Sequence, residues 1–331
     1  MATTLTTNWP ITFDDVGRAR ERLAPYLTST PLRGYPLLDE AVGLRLLVKH
    51  ENHQPTGSFK VRNGLSLMTA LTPAERKRGV VAASTGNHGQ GIAYGATLLG
   101  SSAVICVPIG NNPEKNAAMR AWGARVVEEG RDFDESVQVM QRIAEEEGRV
   151  VAHSVNDPRI IAGAGTMTLE ILEQVGRDGL DALVIAIGGG SQAVGALTVA
   201  KQLAPLLEVY GVQAAGASAQ HDAWHAGSPR TTTDRADTFA EGVATRSTYE
   251  LTFPALREGL TDFVTVTDAE TAEGVRRILS TTHTVVEGAG AMGVMGAGKL
   301  RDRLTGKRVA VVFCGGNLDT AVLRRILNRE M

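Results

Sequence analysis

Lys60 lies in Glu51–Gly64, ENHQPTGSFKVRNG, after the apolar run Leu46-Leu47-Val48 and a Pro-Thr-Gly-Ser turn, where helix-forming sequence begins. A lysine held under glycine and serine at a helix opening can be shielded from water. Desolvation lowers an ammonium's pKa, and the neutral amine attacks carbonyls to form a Schiff base. By itself the position also suits one of many solvated surface lysines. Other stretches of the chain must decide between the two.

Three of them do. Ser84-Thr85-Gly86-Asn87-His88 offers hydroxyls, an amide and backbone N–H groups at a helix N-terminus, which suits a carboxylate or phosphate; the alternative is an ordinary strand-to-helix turn with an Asn cap. Gly188-Gly189-Gly190-Ser191 follows an apolar strand, and its unobstructed N–H groups form a nest for a phosphate dianion. A dinucleotide fingerprint also fits there, with Glu208 downstream, but Glu208 precedes the next strand instead of ending it, and a lone match is weak. Cys314-Gly315-Gly316-Asn317 closes the last strand. Its thiol reads as a nucleophile without a visible base, as a packing residue, or as a hydrogen-bond partner for a ring nitrogen. Pyridoxal phosphate unites an aldehyde for the lysine, a phosphate for the nest and a ring nitrogen for the thiol.

The elements that must hold these residues alternate. Apolar runs at 44–49, 79–84, 102–107, 125–128, 149–153, 182–187, 209–212, 263–266 and 308–313 read as strands. Helical stretches separate them: 13–27 capped by Thr12, 60–72, 91–99, 112 onwards, 133–147, 160–175, 192–206, 269–280 capped by Asp268, one opened by 285–288, and a terminal one. The polar segment Ala219–Thr248 reads as irregular. Continuous apolar strands between helices mean parallel sheets covered on both faces, an α/β architecture.

Composition narrows the classes of partner. The 34 Lys+Arg against 36 Asp+Glu give a net charge of -2, so neither nucleic acid nor an anionic membrane is expected as a partner. Cys106 and Cys314, each in or beside an apolar run, read as reduced buried thiols. The N-terminal MATTLTTNWP shows no signal-peptide pattern and no run reaches membrane-spanning length, so a cytoplasmic protein is expected.

Gly57-Ser58-Phe59-Lys60 with Arg62, Ser84–His88, Gly188–Ser191 and Cys314–Asn317, in this order and spacing from about Thr12 onward, resemble the fold-type II pyridoxal-phosphate enzymes of the threonine/serine dehydratase and serine racemase group. The resemblance implies two parallel-sheet α/β domains like tryptophan synthase β. The large, cofactor-binding domain would comprise 1–65 and 154–331, with a small domain of 66–153 inserted. It implies that Lys60 holds the cofactor and acts as base at the substrate Cα. Phe59 would pack beside the ring, Asn87 bond its 3-hydroxyl, Glu287 line its edge and Cys314 face the ring nitrogen. Gly188, Gly189, Gly190 and Ser191 would cradle the phosphate, and Ser84, Thr85, Gly86, Asn87 and His88 would receive the substrate carboxylate. For His88 a satisfied core histidine, and for Glu287 a helix-start acid, stay open as readings.

Some positions depart from the group's pattern. Ser191 replaces a fourth glycine, and Arg62-Asn63-Gly64 replaces the common Arg-Gly-Ala. Gln213 and Ala219 stand where relatives place acidic cation ligands, with Glu241 as the acid left nearby, so the cation site is expected to be lost or weakened. The resemblance further implies a homo-oligomer, a dimer, and β-elimination from a β-hydroxy-α-amino acid such as L-threonine or L-serine to a 2-oxo acid and ammonia. A neutral thiol at Cys314 favours prompt loss of the leaving group. Thr85, which keeps the hydroxyl that racemases place opposite the lysine, leaves amino-acid racemisation as the alternative. A bulkier β-hydroxy substrate, phenylserine or a hydroxy-diamino acid derived from hydroxyectoine, is a further one.

Overall fold

The computed structural model describes residues 9–176, 178–229 and 236–331. Its two sheets follow from the apolar runs. Six strands lie in the spatial order Leu32–Gly34, Leu46–Lys49, Val309–Val312, Ala182–Ala186, Glu208–Ala214 and Asp262–Val266. Four more lie in the order Arg125–Glu128, Ala103–Val107, Val80–Ala83 and Val150–Val151. Val309–Val312, Val80–Ala83 and Ala103–Val107 are buried along their whole length, as strands covered by helices on both faces must be. The four-stranded sheet is built from chain that lies between two strands of the other, Leu46–Lys49 and Ala182–Ala186, and so is inserted into it.

Among the described residues every pairing between these strands is parallel except one. Leu32–Gly34 runs antiparallel to Leu46–Lys49, a short edge strand where the sequence suggested only a break at Thr30-Pro31-Leu32. Its exposed Arg33 and Gly34 carry no alternating apolar signal, because an edge strand of three residues needs none.

Other boundaries shift for local reasons. Phe13–Leu23 has the expected Thr12 cap, with Asp15 completing a capping box, and buries Val16, Ala19 and Leu23 along one face; it stops short of Leu27. The helix Asp268–Thr282 is capped by Thr267, with Glu270 as the reciprocal partner, and not by Asp268. The Asp268 carboxylate instead accepts the Thr238 hydroxyl at 2.6 Å and the Phe239 N–H at 3.1 Å. The segment Ala219–Thr248, read as irregular, opens with the helix Ala219–Ala226; part of the remainder, 230–235, falls outside the described residues.

Close backbone approach joins the two halves. The helix Lys60–Ala70 packs on the helix Asn87–Leu98, and a Cβ on Gly64 would stand 2.2 Å from the Gly91 carbonyl oxygen. A Cβ on Gly91 would stand 2.4 Å from the Lys60 carbonyl oxygen. Only glycine lets the helix that begins at Lys60 lie against the one that begins at Asn87. Among the described residues no helix is long and apolar enough to cross a membrane.

Candidate active site

The segment carrying Lys60 is pinned to the end of the last strand. The Phe59 N–H donates to the Cys314 carbonyl at 3.0 Å, and the Gly316 N–H donates to the Gly57 carbonyl at 2.8 Å. These contacts bring the lysine and the thiol to one pocket. It has a volume of about 930 Å³ and is lined by Lys60, Ser84–His88, the glycine loop, Glu287 and Cys314. It lies beyond the carboxyl ends of strands from both sheets, where open parallel sheets bind ligands.

Beneath Lys60, ionic groups are sealed in the core. Arg62, 1% exposed, donates from Nε and Nη2 to Glu51 at 2.7 and 2.9 Å and from Nη1 and Nη2 to Glu170 at 2.8 Å each. Lys49 Nζ donates to Glu170 at 2.9 Å and to the Thr30 carbonyl at 2.9 Å. Burial opposes charge on Glu170, yet Arg62 and Lys49 hold its carboxyl at about 2. Two buried cations and two buried anions thus neutralise one another, and the fork of Arg62 fixes the first turn of the Lys60 helix. Glu51 and Glu170 were not recognised as partners in the sequence, since no local pattern links three segments so far apart.

Lys60 is half-buried, its Nζ 3.4 Å from the Ser154 carbonyl oxygen and 5.2 Å from the centroid of the Phe59 ring. Burial lowers its pKa to about 8, against the opposing pull of Cys314 and Glu287. Burial also lifts the Cys314 thiol well above its ordinary value, and the Glu287 charge adds to this, so Cys314 is a neutral thiol. Glu287, at the cap position of the helix Gly288–Lys299, makes no capping bond there. Its Oε1 accepts from Asn87 Nδ2 at 2.7 Å, and Asn87 Oδ1 accepts from Asn317 Nδ2 at 2.7 Å. Burial pushes Glu287 up to about 7, with the Asn87 hydrogen bond pulling the other way. Both ends of the Asn87 amide are therefore engaged, and a ligand hydroxyl must share one of them.

In the Ser84–His88 turn, Ser84 Oγ accepts from the N–H groups of Gly86 at 3.2 Å and Gly89 at 2.9 Å, which fixes the turn. Gly86 is the cap of the 12-residue helix and makes no side-chain cap bond, so the turn is not an Asn-capped one. The Thr85 hydroxyl lines the pocket and makes no hydrogen bond among the described residues. The side chain of His88 points elsewhere. It is 4% exposed, and its Nε2–H donates to the Ala152 carbonyl at 2.8 Å. Burial, with the Lys60 charge, lowers His88 to about 3, so it is a neutral core histidine whose backbone alone belongs to the turn.

The glycine loop is shaped to present donors. Gly190 has φ of 94°, a left-handed conformation that favours glycine. The Gly189 carbonyl accepts from Thr252 Oγ1 at 2.6 Å and from Gln220 Nε2 at 3.5 Å. In a planar trans peptide the following N–H points opposite the carbonyl, so these two side chains turn the Gly190 N–H away from themselves. Among the described residues no backbone carbonyl accepts the N–H groups of Gly188, Gly189 or Gly190. A Cβ at Gly189 would lie 2.1 Å from Val155 Cγ2. Free N–H groups at a helix N-terminus, a neutral thiol and a desolvated lysine fit a phosphate, a pyridine nitrogen and an aldehyde. Glu208 has no part in this site, since it pairs with Lys307 and Tyr210.

Near the expected cation position, Gln213 Oε1 accepts the His221 N–H at 2.9 Å, and Glu241 is paired with Lys115 at 2.5 Å. Asp222, beside His221, is a second acid there and accepts from the Ser218 hydroxyl. Further pocket residues carried no sequence signal: Ser154 beneath Lys60, Lys115 beside Gly86, and Tyr249, whose phenol burial makes less acidic.

Fold and pocket together define a pyridoxal-phosphate type of site. Residues 23–315 match the family model described as "Pyridoxal-phosphate dependent enzyme", and the chain belongs to that family. The L-threonine ammonia-lyase of Thermotoga maritima is 36% identical over 321 residues, covering 97% of this chain and 79% of the relative. The L-threo-3-hydroxyaspartate ammonia-lyase of a Pseudomonas species is 36% identical over 307 residues, covering 93% of this chain and 95% of the relative. Among solved structures, maize serine racemase superposes with a TM-score of 0.90 at 27% identity, covering 97% of this chain and 98% of that one.

Proposed function

We propose that the protein is an ammonia-lyase that removes the β-hydroxyl and amino groups of a β-hydroxy-α-amino acid such as L-threonine or L-serine, giving a 2-oxo acid and ammonia. The observation that carries this is a desolvated lysine, of pKa about 8, in one pocket with the anion-ready glycine loop and the Ser84–His88 turn. Pyridoxal phosphate, when bound, supplies an aldehyde for amine capture and a conjugated ring that accepts electrons from the substrate Cα.

The residues divide the remaining work. Gly188, Gly189, Gly190 and Ser191 hold the phosphate, with Thr252 and Gln220 orienting one peptide of the loop. The N–H groups of Asn87 and His88 and the Thr85 hydroxyl receive the substrate carboxylate at the helix N-terminus. Lys60 would hold the cofactor, and its Nζ, made less basic by burial, would take the proton from the substrate Cα. Phe59 packs against the ring and Glu287 lines its edge with Asn87. Cys314 offers the ring nitrogen a neutral thiol, which does not hold a proton there as a carboxylate would. Beside such a thiol the bound ring would be a weaker electron store than beside a carboxylate, which would favour elimination over a long-lived carbanion.

Thr85 supports a second reading, in which its free hydroxyl exchanges a proton at Cα and the amino acid is inverted. The two readings separate when ammonia release and inversion of L-serine are followed together. Inversion that outpaces ammonia release overturns elimination as the main activity. A panel of β-hydroxy amino acids, including phenylserine and hydroxy-diamino acids, defines the substrate.

The same proposal includes residues 66–153 as a small domain within a large one of 1–65 and 154–331, a cytoplasmic location and a homodimer. It also includes independence from a cation at Gln213, whose oxygen is already engaged by His221. Unchanged turnover in a chelator supports that; loss restored by magnesium or calcium overturns it.

A further inference from the structure

Two departures from the family pattern meet in space. Asn63 Nδ2 donates to Ser191 Oγ at 3.5 Å, joining residues 128 positions apart. Asn63 is 0% exposed and Ser191 3% exposed, and Asn63 Oδ1 is buried with no hydrogen-bond partner. Ser191 lines the pocket at the end of the glycine loop. An unpartnered buried amide oxygen is unfavourable unless the arrangement gains elsewhere.

The gain depends on what occupies the loop. While Asn63 donates to Ser191 Oγ, the serine's own proton is free to be donated to another acceptor. A half-turn of the amide would present Oδ1 to Ser191, draw the hydroxyl proton to Asn63, and leave the amide's N–H groups unpaired. An anion in the loop favours the first state, because it accepts the hydroxyl proton in a charge-assisted bond. An empty loop offers no such acceptor.

We propose that Asn63 is a positioning residue that sets the direction of the Ser191 hydroxyl, so that the pair adds one side-chain donor to the backbone nest and is coupled to phosphate binding. This rests on the reading of Gly188–Ser191 as the phosphate cradle. In that arrangement the serine side chain is an added donor, and the asparagine is what makes it one.

The experiment is a double-mutant cycle on the full-length chain stripped of cofactor. Equilibrium binding of pyridoxal phosphate is titrated spectroscopically, with inorganic phosphate as competitor. Asn63→Ala and Ser191→Ala should each weaken both ligands by roughly ten-fold, and the double variant by no more than either single one. Asn63→Asp should weaken them further, since a carboxylate takes the serine proton and repels the anion. Asn63→Ser, which can still donate, should recover most of the affinity; it also serves if Asn63→Ala fails to fold. The 31P resonance of the loaded protein should shift alike in both alanine variants. Multiplied losses in the double variant, or full affinity in Asn63→Asp, overturn the pairing. Failure of the unaltered protein to bind either ligand overturns the phosphate cradle itself, a separate outcome.

Discussion

The Asn87 amide donates to the Glu287 carboxylate at 2.7 Å across 200 positions of sequence, joining the N-terminus of a helix on the four-stranded half to that of a helix on the six-stranded half. The bond lies at the pocket wall, so the site is stitched together by the groups proposed to line the cofactor. Glu287 titrates near 7, above its ordinary 4.5, because burial outweighs this bond. Folding therefore takes up a proton between about 4.5 and 7, and stability contributed by the protonated form is lost as pH rises through that window. Glu287→Gln should flatten the fall in melting temperature over this range, measured on cofactor-free protein. An unchanged pH slope would argue against the raised pKa.

Lys60 has the opposite dependence. Its pKa falls from 10.5 to about 8 on folding, so the ammonium is a full penalty below about 8 that disappears as pH rises to 10.5. Lys60→Met should melt higher than the unaltered cofactor-free protein at pH 7, with the gap narrowing toward pH 10.5. The same variant should be inactive and should acquire no borohydride-fixed cofactor. An active variant overturns the role given to Lys60.

Arg62 is the keystone of the buried ionic cluster. Arg62→Met removes the fork that satisfies Glu51 and Glu170 and leaves two acids in the core with only Lys49 and the partly exposed Arg20, both of which pair with Glu170. Breaking a buried pair in this way costs about 3–5 kcal/mol. Urea unfolding should show that loss, and Arg62→Lys should recover little of it, since one ammonium cannot reach both carboxylates in the same geometry.

Gly189 and Val155 form a steric pair. A methyl group at 189 would sit 2.1 Å from Val155 Cγ2, so Gly189→Ala should displace the loop or the chain that carries Ser154. Cofactor affinity should drop at least ten-fold, with about 1–3 kcal/mol of overpacking strain. Adding Val155→Ala opens the space and should restore part of the affinity. If the second change worsens binding, the defect lies elsewhere.

Thr252→Val deletes the 2.6 Å donor to the Gly189 carbonyl while keeping the shape of the side chain. The peptide then loses its main restraint, and cofactor binding should weaken several-fold with little change in the melting temperature of the cofactor-free chain. Thr252→Ser should bind as the unaltered protein does. Titration of the three proteins side by side checks this.

The strands and the chemical loops could be read from the chain because their signals are local. Val80–Ala83, Ala103–Val107 and Val309–Val312 are continuous apolar runs, and Lys60, the Ser84–His88 turn, Gly188–Ser191 and Cys314 announce themselves by glycine and residue type. The helix Ala219–Ala226 could not be read so, since its polar, histidine-rich sequence has no clear apolar period and its burial comes from packing on its neighbours. The edge strand Leu32–Gly34 is too short to show one.

The sequence by itself determined which residues could hold a phosphate, an aldehyde and a carboxylate, because each needs only a few neighbouring groups of the right type. Tertiary structure alone decided their states. It buried Lys60 enough to bring it toward neutrality, engaged both ends of Asn87, and turned His88 away to the Ala152 carbonyl. It also set Arg62 between Glu51 and Glu170 and brought Asn63 against Ser191. Desolvation and hydrogen-bond pairing depend on which distant segments close over a residue, and no window of sequence contains that information.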